Sequence, residues 1–157
     1  MRGAAGGGDM FRGVTTLSLD SKGRLMVPTR YRDALVGQGD GRVVVTADPS
    51  RCLLLFPLAE WEPIEKKLNG LSSFNAQTRS LQRLLVGNAA DIELDGSGRI
   101  LLPAMLREFA VLDKSVVLVG QGVKFELWNE VRWQEQMEVA LTFRDAEMPA
   151  ELAGFSL

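Results

Sequence analysis

Two aspartate–arginine pairs with the same spacing are the residues of this chain whose chemistry is most suggestive. Asp20 precedes Arg24 by four positions, and Asp95 precedes Arg99 by the same interval. A carboxylate and a guanidinium form directional, charge-assisted hydrogen bonds. A guanidinium that is held on one edge keeps its other donors for phosphate oxygens or for the O6/N7 edge of guanine. The spacing therefore suggests either an anchored turn or a site that recognises anions.

Each pair belongs to a longer motif that occurs twice, in residues 19–32 and again in residues 94–107. Its pattern is L-D-x-x-G-R, three aliphatic residues, P, three variable residues and R. An aspartate at the first position of a tight turn and a glycine at its last, here Gly23 and Gly98, are typical of a hairpin. The repeat predicts two homologous half-domains. Because a half of roughly 70 residues is marginally stable alone, we expect the halves to share a core.

The aspartates have two possible roles, and the sequence leaves both open. In the first role they pin the turn and do nothing else. In the second they also orient the arginines outward for binding. Lys22 stands at the tip of the first turn, where it could contact a phosphate, whereas Ser97 takes its place in the second. We therefore expect the two turns to contribute unequally.

The remaining pattern is the same in both copies: a hairpin, a short helix, two strands and a helix. Strands are predicted near 14–19, 24–27, 43–47, 52–56, 90–94, 99–102, 116–119 and 124–128, and helices over 29–36, from about 60, 76–86, 104–110 and 129–142. Short strands with helices outside them indicate a mainly β, α+β fold, specifically a small β-barrel or sandwich with outer helices.

The composition argues against an enzyme. Among its 157 residues the chain has no histidine and one cysteine, Cys52, so Ser-His and Cys-His schemes and an ordinary zinc site lack their residues. We predict no catalytic residue, cofactor, metal or small-molecule substrate. Cys52 leads an apolar run and is interpreted as a buried structural thiol. The three tryptophans could form a ligand cage, but their repeat-related positions favour core packing: Trp61, Trp128 and Trp133.

The net charge of −2 does not by itself suggest nucleic acid, but the charges are unevenly distributed. The charged residues within 10–35 are mostly basic, whereas those within 126–151 are mostly acidic. This asymmetry indicates either a binding surface at the basic end or ordinary solvated charge. The apolar runs are too short to span a bilayer, no secretory pattern is present, and one cysteine allows no intrachain disulfide, so we expect a cytoplasmic protein without a membrane partner.

Residues 10–32, with the string M-F-R-G-x-T-x-L-S-L-D-S-K-G-R-L-x-V-P-T-R-Y-R, closely resemble the start of bacterial MraZ proteins. Three further blocks resemble the same family: residues 53–57, 83–87 and 124–128. The resemblance extends from about residue 10 to 141. It implies a tandem pair of AbrB-like swapped-hairpin domains that assemble into ring-shaped homo-oligomers.

The resemblance also implies a function. MraZ proteins bind double-stranded DNA at short G-rich repeats upstream of the division and cell-wall gene cluster, mostly as repressors, so a nucleoid-associated protein is expected. The DNA-binding residues implied here are Arg12, Lys22, Arg24 and Arg99, and the structural motif comprises Asp20, Gly23, Asp95 and Gly98. An AbrB-type antitoxin or another protein-interaction module is the alternative.

We divide the chain into a flexible tail (1–9), a first AbrB-like domain (10–58), a helical connection (59–88), a second AbrB-like domain (89–134) and a C-terminal helix end with a frayed tail (135–157). Four arginines could contact either DNA or a neighbouring subunit: Arg30, Arg32, Arg79 and Arg83.

Overall fold

The computed structural model describes residues 10–143 and 149–154. The predicted tail 1–9 and part of the predicted C-terminal tail lie outside these residues. The strands are β1 (Phe11–Ser18), β2 (Arg24–Met26), β3 (Arg42–Ala47), β4 (Leu53–Pro57), β5 (Ala90–Glu93), β6 (Arg99–Leu101), β7 (Ser115–Gly122) and β8 (Phe125–Asn129). The helices are α1 (Thr29–Gly37), α2 (Leu58–Asn69), α3 (Ala76–Leu85), α4 (Ala104–Phe109) and α5 (Glu130–Leu141), and a 3₁₀ turn lies at Ala150–Leu152.

The helices begin where local chemistry favours them. Pro28 and Pro103 immediately precede α1 and α4, as their fixed φ angle predicts. The Asn75 side chain caps α3 by accepting a hydrogen bond from the Thr78 amide at 3.1 Å, and Asn129 caps α5 in the same way. Only α2 differs noticeably from the prediction, because it starts after Pro57, two residues early.

The strands of the two copies interleave. Six strands form one antiparallel sheet in the order β1-β7-β8-β4-β3-β5, and β2 pairs with β6 in a separate two-stranded ribbon. The first strand of each copy therefore pairs with the third strand of the other, β1 with β7 and β5 with β3. The main hydrophobic core accordingly contains residues of both copies, which confirms the expected shared core.

The sheet is open, so the predicted β-barrel is wrong, although the mixed α+β class with short helices is confirmed. The central strands explain the difference. All residues of β4 are buried, and β3 is buried from Val43 onward. Side chains on one face of the sheet join the main core under the ribbon, α1 and α4, and those on the other face pack with α2, α3 and α5. A sheet covered on both faces needs no closure, and its strands appear in the sequence as continuous apolar runs.

The predicted hairpins form only at their turns, and their strands pair elsewhere. A single bridge, Leu19 to Leu25, connects the two sides of the first turn. Each return strand pairs with the return strand of the other copy, so Leu25 lies opposite Ile100. These two side chains are 0% and 1% exposed. Ribbon pairing therefore buries both over the shared core, which a separate hairpin in each copy would not do.

Candidate nucleic-acid interface

The Asp20 carboxylate organises the first turn and holds Arg24 at the same time. Its Oδ1 accepts hydrogen bonds from the backbone N–H groups of Lys22 and Arg24, at 2.9 and 2.8 Å. Its Oδ2 accepts one from Arg24 Nε at 2.7 Å. These donors, the Arg24 backbone N–H first, lower the pKa of Asp20 to about 2. The carboxylate is thus ionised at neutral pH, and it both pins the turn and holds the Arg24 guanidinium.

The second turn repeats this geometry. Asp95 accepts backbone hydrogen bonds from Ser97 and Arg99, at 2.8 and 2.9 Å, and one from Arg99 Nε at 3.0 Å. The pKa of Asp95 is lowered, chiefly by the Arg99 backbone N–H. In both pairs, the hydrogen bonds within the described residues use Nε of the arginine and leave its two terminal nitrogens available. Each arginine is therefore held on one edge, with donors remaining for an external acceptor.

The ribbon brings the two arginines onto one face. In the β2–β6 register Arg24 lies opposite Leu101, and Arg99 lies opposite Met26. Alternate residues of a strand share a face, and directly opposed residues do so as well. The outward face of the ribbon therefore carries these four side chains, while the inward pair is buried. The structure thus assembles Arg24 and Arg99, with Lys22 at the adjoining turn, from distant parts of the sequence.

Two more arginines, the last residues of the repeated motif, each contact the turn of the other copy. Arg32 donates from Nε to the Val27 carbonyl at 2.8 Å, and its guanidinium lies against Gly98 of the other copy. Arg107 donates to the Leu102 carbonyl at 3.0 Å and lies against Gly23. The sequence leaves the role of Arg32 open and assigns no role to Arg107. Their repeated position four residues after proline was the signal that could have identified them.

The glycines of the turns are required for two reasons. Gly23 and Gly98 have φ angles of +83° and +80°, in the left-handed region that favours glycine. A Cβ atom at Gly23 would lie only 2.6 Å from Arg107 Cζ, and one at Gly98 would lie 2.5 Å from Arg32 Cζ. The turn of each copy is therefore shaped to receive an arginine of the other.

Arg12 is not brought to the ribbon. It lies near the start of β1, opposite Gln121, whereas Ser18 at the end of β1 leads into the first turn. The length of strand between Arg12 and that end corresponds to about 20 Å. Within one chain Arg12 is thus remote from Lys22, Arg24 and Arg99.

The other arginines whose roles were open also lie elsewhere. Arg30 donates to the Thr15 hydroxyl and stacks over the Tyr31 ring, with 4.5 Å between Cζ and the ring centroid. Arg79 and Arg83 are on α3, where they line a shallow groove with Leu71 and other residues of the α2–α3 region.

Residues that could suggest an enzyme are part of the packing. Cys52 is fully buried, and burial raises the pKa of its thiol, which confirms the structural interpretation. Trp61 packs against Phe56, and Trp133 against Trp128, in equivalent positions of the two copies. Over residues 10–143 and 149–154, no group of three or more Cys, Asp or Glu residues is placed to hold a metal ion. No helix in the same residues is long and apolar enough to cross a bilayer.

Known proteins resemble this chain over nearly its whole length. The model of a family described as "MraZ protein, putative antitoxin-like" matches residues 10–84 and again residues 85–153. Proteins called Transcriptional regulator MraZ are similar to it. That of Thiobacillus denitrificans is 68% identical over 94% of this chain and 100% of the relative, and that of Nitrosospira multiformis is 66% identical with the same coverage. That of Methylococcus capsulatus is 53% identical over 94% of this chain and 99% of the relative. With one family match on each copy and relatives as similar as these, the chain belongs to the MraZ family.

Proposed function

We propose that this protein is a sequence-specific DNA-binding transcriptional regulator that is not an enzyme. The observation that carries the proposal is the pair of arginines, Arg24 and Arg99, that Asp20 and Asp95 hold by Nε on one face of the ribbon. The name of the relatives, Transcriptional regulator MraZ, supports the same conclusion.

A two-stranded β-ribbon has suitable dimensions for this task, because the major groove of B-DNA admits either an α-helix or such a ribbon. A guanidinium fixed on one edge loses little conformational freedom when it binds the O6 and N7 atoms of guanine. Lys22, at the tip of the first turn, contacts a phosphate in this proposal. Ser97 carries no charge, so the two turns contribute unequally to binding.

The resemblance to MraZ proteins supports a fuller proposal. The ribbon and the exchanged strands form a tandem AbrB-like swapped-hairpin unit, built from domains 10–58 and 89–134 and joined by the helical connection 59–88. The protein assembles into a ring and represses the division and cell-wall gene cluster by binding tandem G-rich repeats. It acts in the cytoplasm at the nucleoid.

Assembly would compensate for the small number of cations in one ribbon. Once one subunit is bound to one repeat, binding of the next is intramolecular, which raises avidity by ~10²–10⁴-fold. Arg12 contributes in this arrangement by contacting DNA beside the ribbon of another subunit, since within its own chain it lies far from Arg24.

The test is selection of binding sites by the purified full-length protein from a pool of random duplexes, followed by affinity measurements across a salt series. We expect enrichment of repeated guanine runs and a steep decrease in affinity with salt, with a log–log slope of about −0.9 per neutralised phosphate. Recovery of no preferred sequence, with weak and equal binding to all duplexes, would reject the proposal.

The second candidate is an antitoxin-like protein-interaction module, which the description of the matched family favours. Its test is co-purification of the untagged protein from its own cells. Recovery of one protein in stoichiometric amount, together with failure of the duplex selection, would favour this candidate.

A further inference from the structure

The outward face of the ribbon carries two apolar side chains that the fold does not need. Met26 and Leu101 occupy equivalent positions of the repeat, and they are 44% and 55% exposed. Their neighbours Leu25 and Ile100 point inward and supply the core contacts of the same strands. On a sheet with one solvated face, the outward positions are ordinarily polar. Two exposed apolar residues at the same repeat position therefore point to a ligand that covers them.

The surroundings of the two side chains indicate what that ligand is. Met26 lies opposite Arg99, and Leu101 lies opposite Arg24. Arg32 donates from a terminal nitrogen to the Met26 sulfur at 3.0 Å. Leu101 lines a surface depression whose charged residues are Lys22 and Arg107 and, from β5, Asp91 and Glu93.

This arrangement places two apolar side chains next to the terminal nitrogens of Arg24 and Arg99 and beside Lys22, and so differs from a surface that docks another apolar surface. The major groove of DNA presents a matching combination of phosphates at its edges, the acceptors of guanine on its floor, and one apolar group, the C5-methyl group of thymine. The ribbon face offers a cation or an apolar side chain for each of these.

We propose that Met26 and Leu101 contact thymine C5-methyl groups next to the guanines bound by Arg99 and Arg24, and so determine part of the sequence preference. This inference rests on the proposed DNA-binding function. Directly opposed side chains of an antiparallel pair have Cβ atoms about 4.5–5.5 Å apart. Successive bases along one strand are about 3.4 Å apart. Each thymine is therefore expected one or two base pairs from a guanine, with one such pair for each half of the ribbon.

The experiment removes one methyl group from the DNA and the apolar contact from the protein. In a duplex selected by the wild-type protein, each thymine is replaced in turn by deoxyuridine, which lacks only the C5-methyl group. We expect binding to weaken about fourfold at the contacted thymines, the equivalent of one buried methylene-sized group at ~0.8 kcal/mol. Met26→Ala and Leu101→Ala should weaken binding to the thymine duplex and should each abolish the uridine effect at one thymine.

Val131→Ala is the matched control, because Val131 is 64% exposed on α5 and outside the ribbon. It should bind both duplexes as the wild type does. Met26→Leu should retain the uridine effect, because leucine keeps an apolar side chain at this position. It therefore distinguishes loss of the methyl contact from a general effect of substitution on folding.

Any of three results would overturn the inference. The wild-type protein could bind the uridine and thymine duplexes with equal affinity, or uridine could weaken binding by the alanine variants as much as by the wild type. The third result is a selected sequence without thymine near its guanines. Failure to select any sequence would reject the DNA-binding proposal itself and this inference with it. Clear selection of a guanine-containing sequence, combined with indifference to uridine, would reject this inference alone.

Discussion

Leu54 of β4 lies directly opposite Glu126 of β8, and the two occupy equivalent positions of the repeat. The same is true of Leu25 and Ile100 in the ribbon. One local twofold axis therefore passes through the centre of the sheet and the centre of the ribbon and relates the two copies. Because each copy supplies an edge strand to the other, neither has a complete sheet by itself.

Unfolding should consequently be a single cooperative event. Trp61 reports on the first copy, and Trp128 with Trp133 reports on the second. We expect Trp61→Phe and Trp128→Phe/Trp133→Phe proteins to show coincident urea transitions by fluorescence and circular dichroism. Leu25→Ala should lower the free energy of unfolding by about 2–5 kcal/mol, since Leu25 is fully buried in the shared core. Both tryptophan reporters should show the same decrease. Two separate midpoints would contradict this expectation.

Arg24 and Arg99 should each be required for DNA binding without being required for folding. Arg24→Ala should weaken binding to a selected duplex by about 1–3 kcal/mol, roughly 5- to 150-fold, because a bidentate guanine contact is lost. Arg24→Lys should recover little of that loss, since an ammonium lacks the planar pair of donors.

Arg79→Ala serves as the control for charge, because Arg79 is an exposed arginine on α3, outside the ribbon. Fluorescence anisotropy measures the affinities, and circular dichroism checks the fold. Equal affinities for wild-type and Arg24→Ala proteins would remove Arg24 from the interface.

Gly23 should be coupled energetically to Arg107 of the other copy. In Gly23→Ala, the left-handed backbone costs about 1–2 kcal/mol, and overlap of the new Cβ with the Arg107 guanidinium adds to it. Arg107→Ala should relieve the overlap but not the backbone strain, so the double variant should be more stable than the sum of the single effects predicts.

Gly96→Ala is the matched control in the equivalent region of the second turn. A methyl group at Gly96 would meet nothing within 4 Å beyond its chain neighbours, and the φ of this glycine is not positive. The substitution should change stability by less than about 0.5 kcal/mol. Strict additivity of Gly23→Ala and Arg107→Ala in urea unfolding would show that the close approach is not energetically important.

The stabilisation of the turns by Asp20 and Asp95 should be lost at a lower pH than that at which ordinary carboxylates titrate. The pKa of Asp20 is about 2 in the folded protein and 3.8 for the unperturbed group. Because the folded value is the lower one, its stabilisation is present above pH 3.8 and is lost as the pH falls through about 2. Asp95 shifts in the same direction.

Urea midpoints between about pH 5 and pH 2 measure this effect. The Asp20→Asn/Asp95→Asn protein should be less stable than the wild type at the upper end of this range, and the difference should shrink toward the lower end. A constant difference across the range would mean that the carboxylates stabilise the turns without a change in pKa.

Much of the fold follows from local sequence signals. The D-x-x-x-R turns with a left-handed glycine, the helices after Pro28 and Pro103, and the paired tryptophans all occur as predicted, because each depends on residues close together in the chain. The predicted barrel is wrong, because β3 and β4 are buried on both faces of an open sheet. Their continuous apolar runs, Val43–Val45 and Leu53–Leu55, were the indication of a sheet covered on both faces.

The sequence by itself determined that the chain has two copies of one motif, which residues form each turn, and which arginine each aspartate holds, since these contacts span at most four residues. Only the tertiary structure decided the partners of the strands. Pairing β2 with β6 brings Arg24 and Arg99 onto one face and places Arg32 and Arg107 against the turns of the opposite copy. No local signal specifies that choice, because it is set by the simultaneous burial of Leu25 and Ile100 in a core that neither copy can form alone.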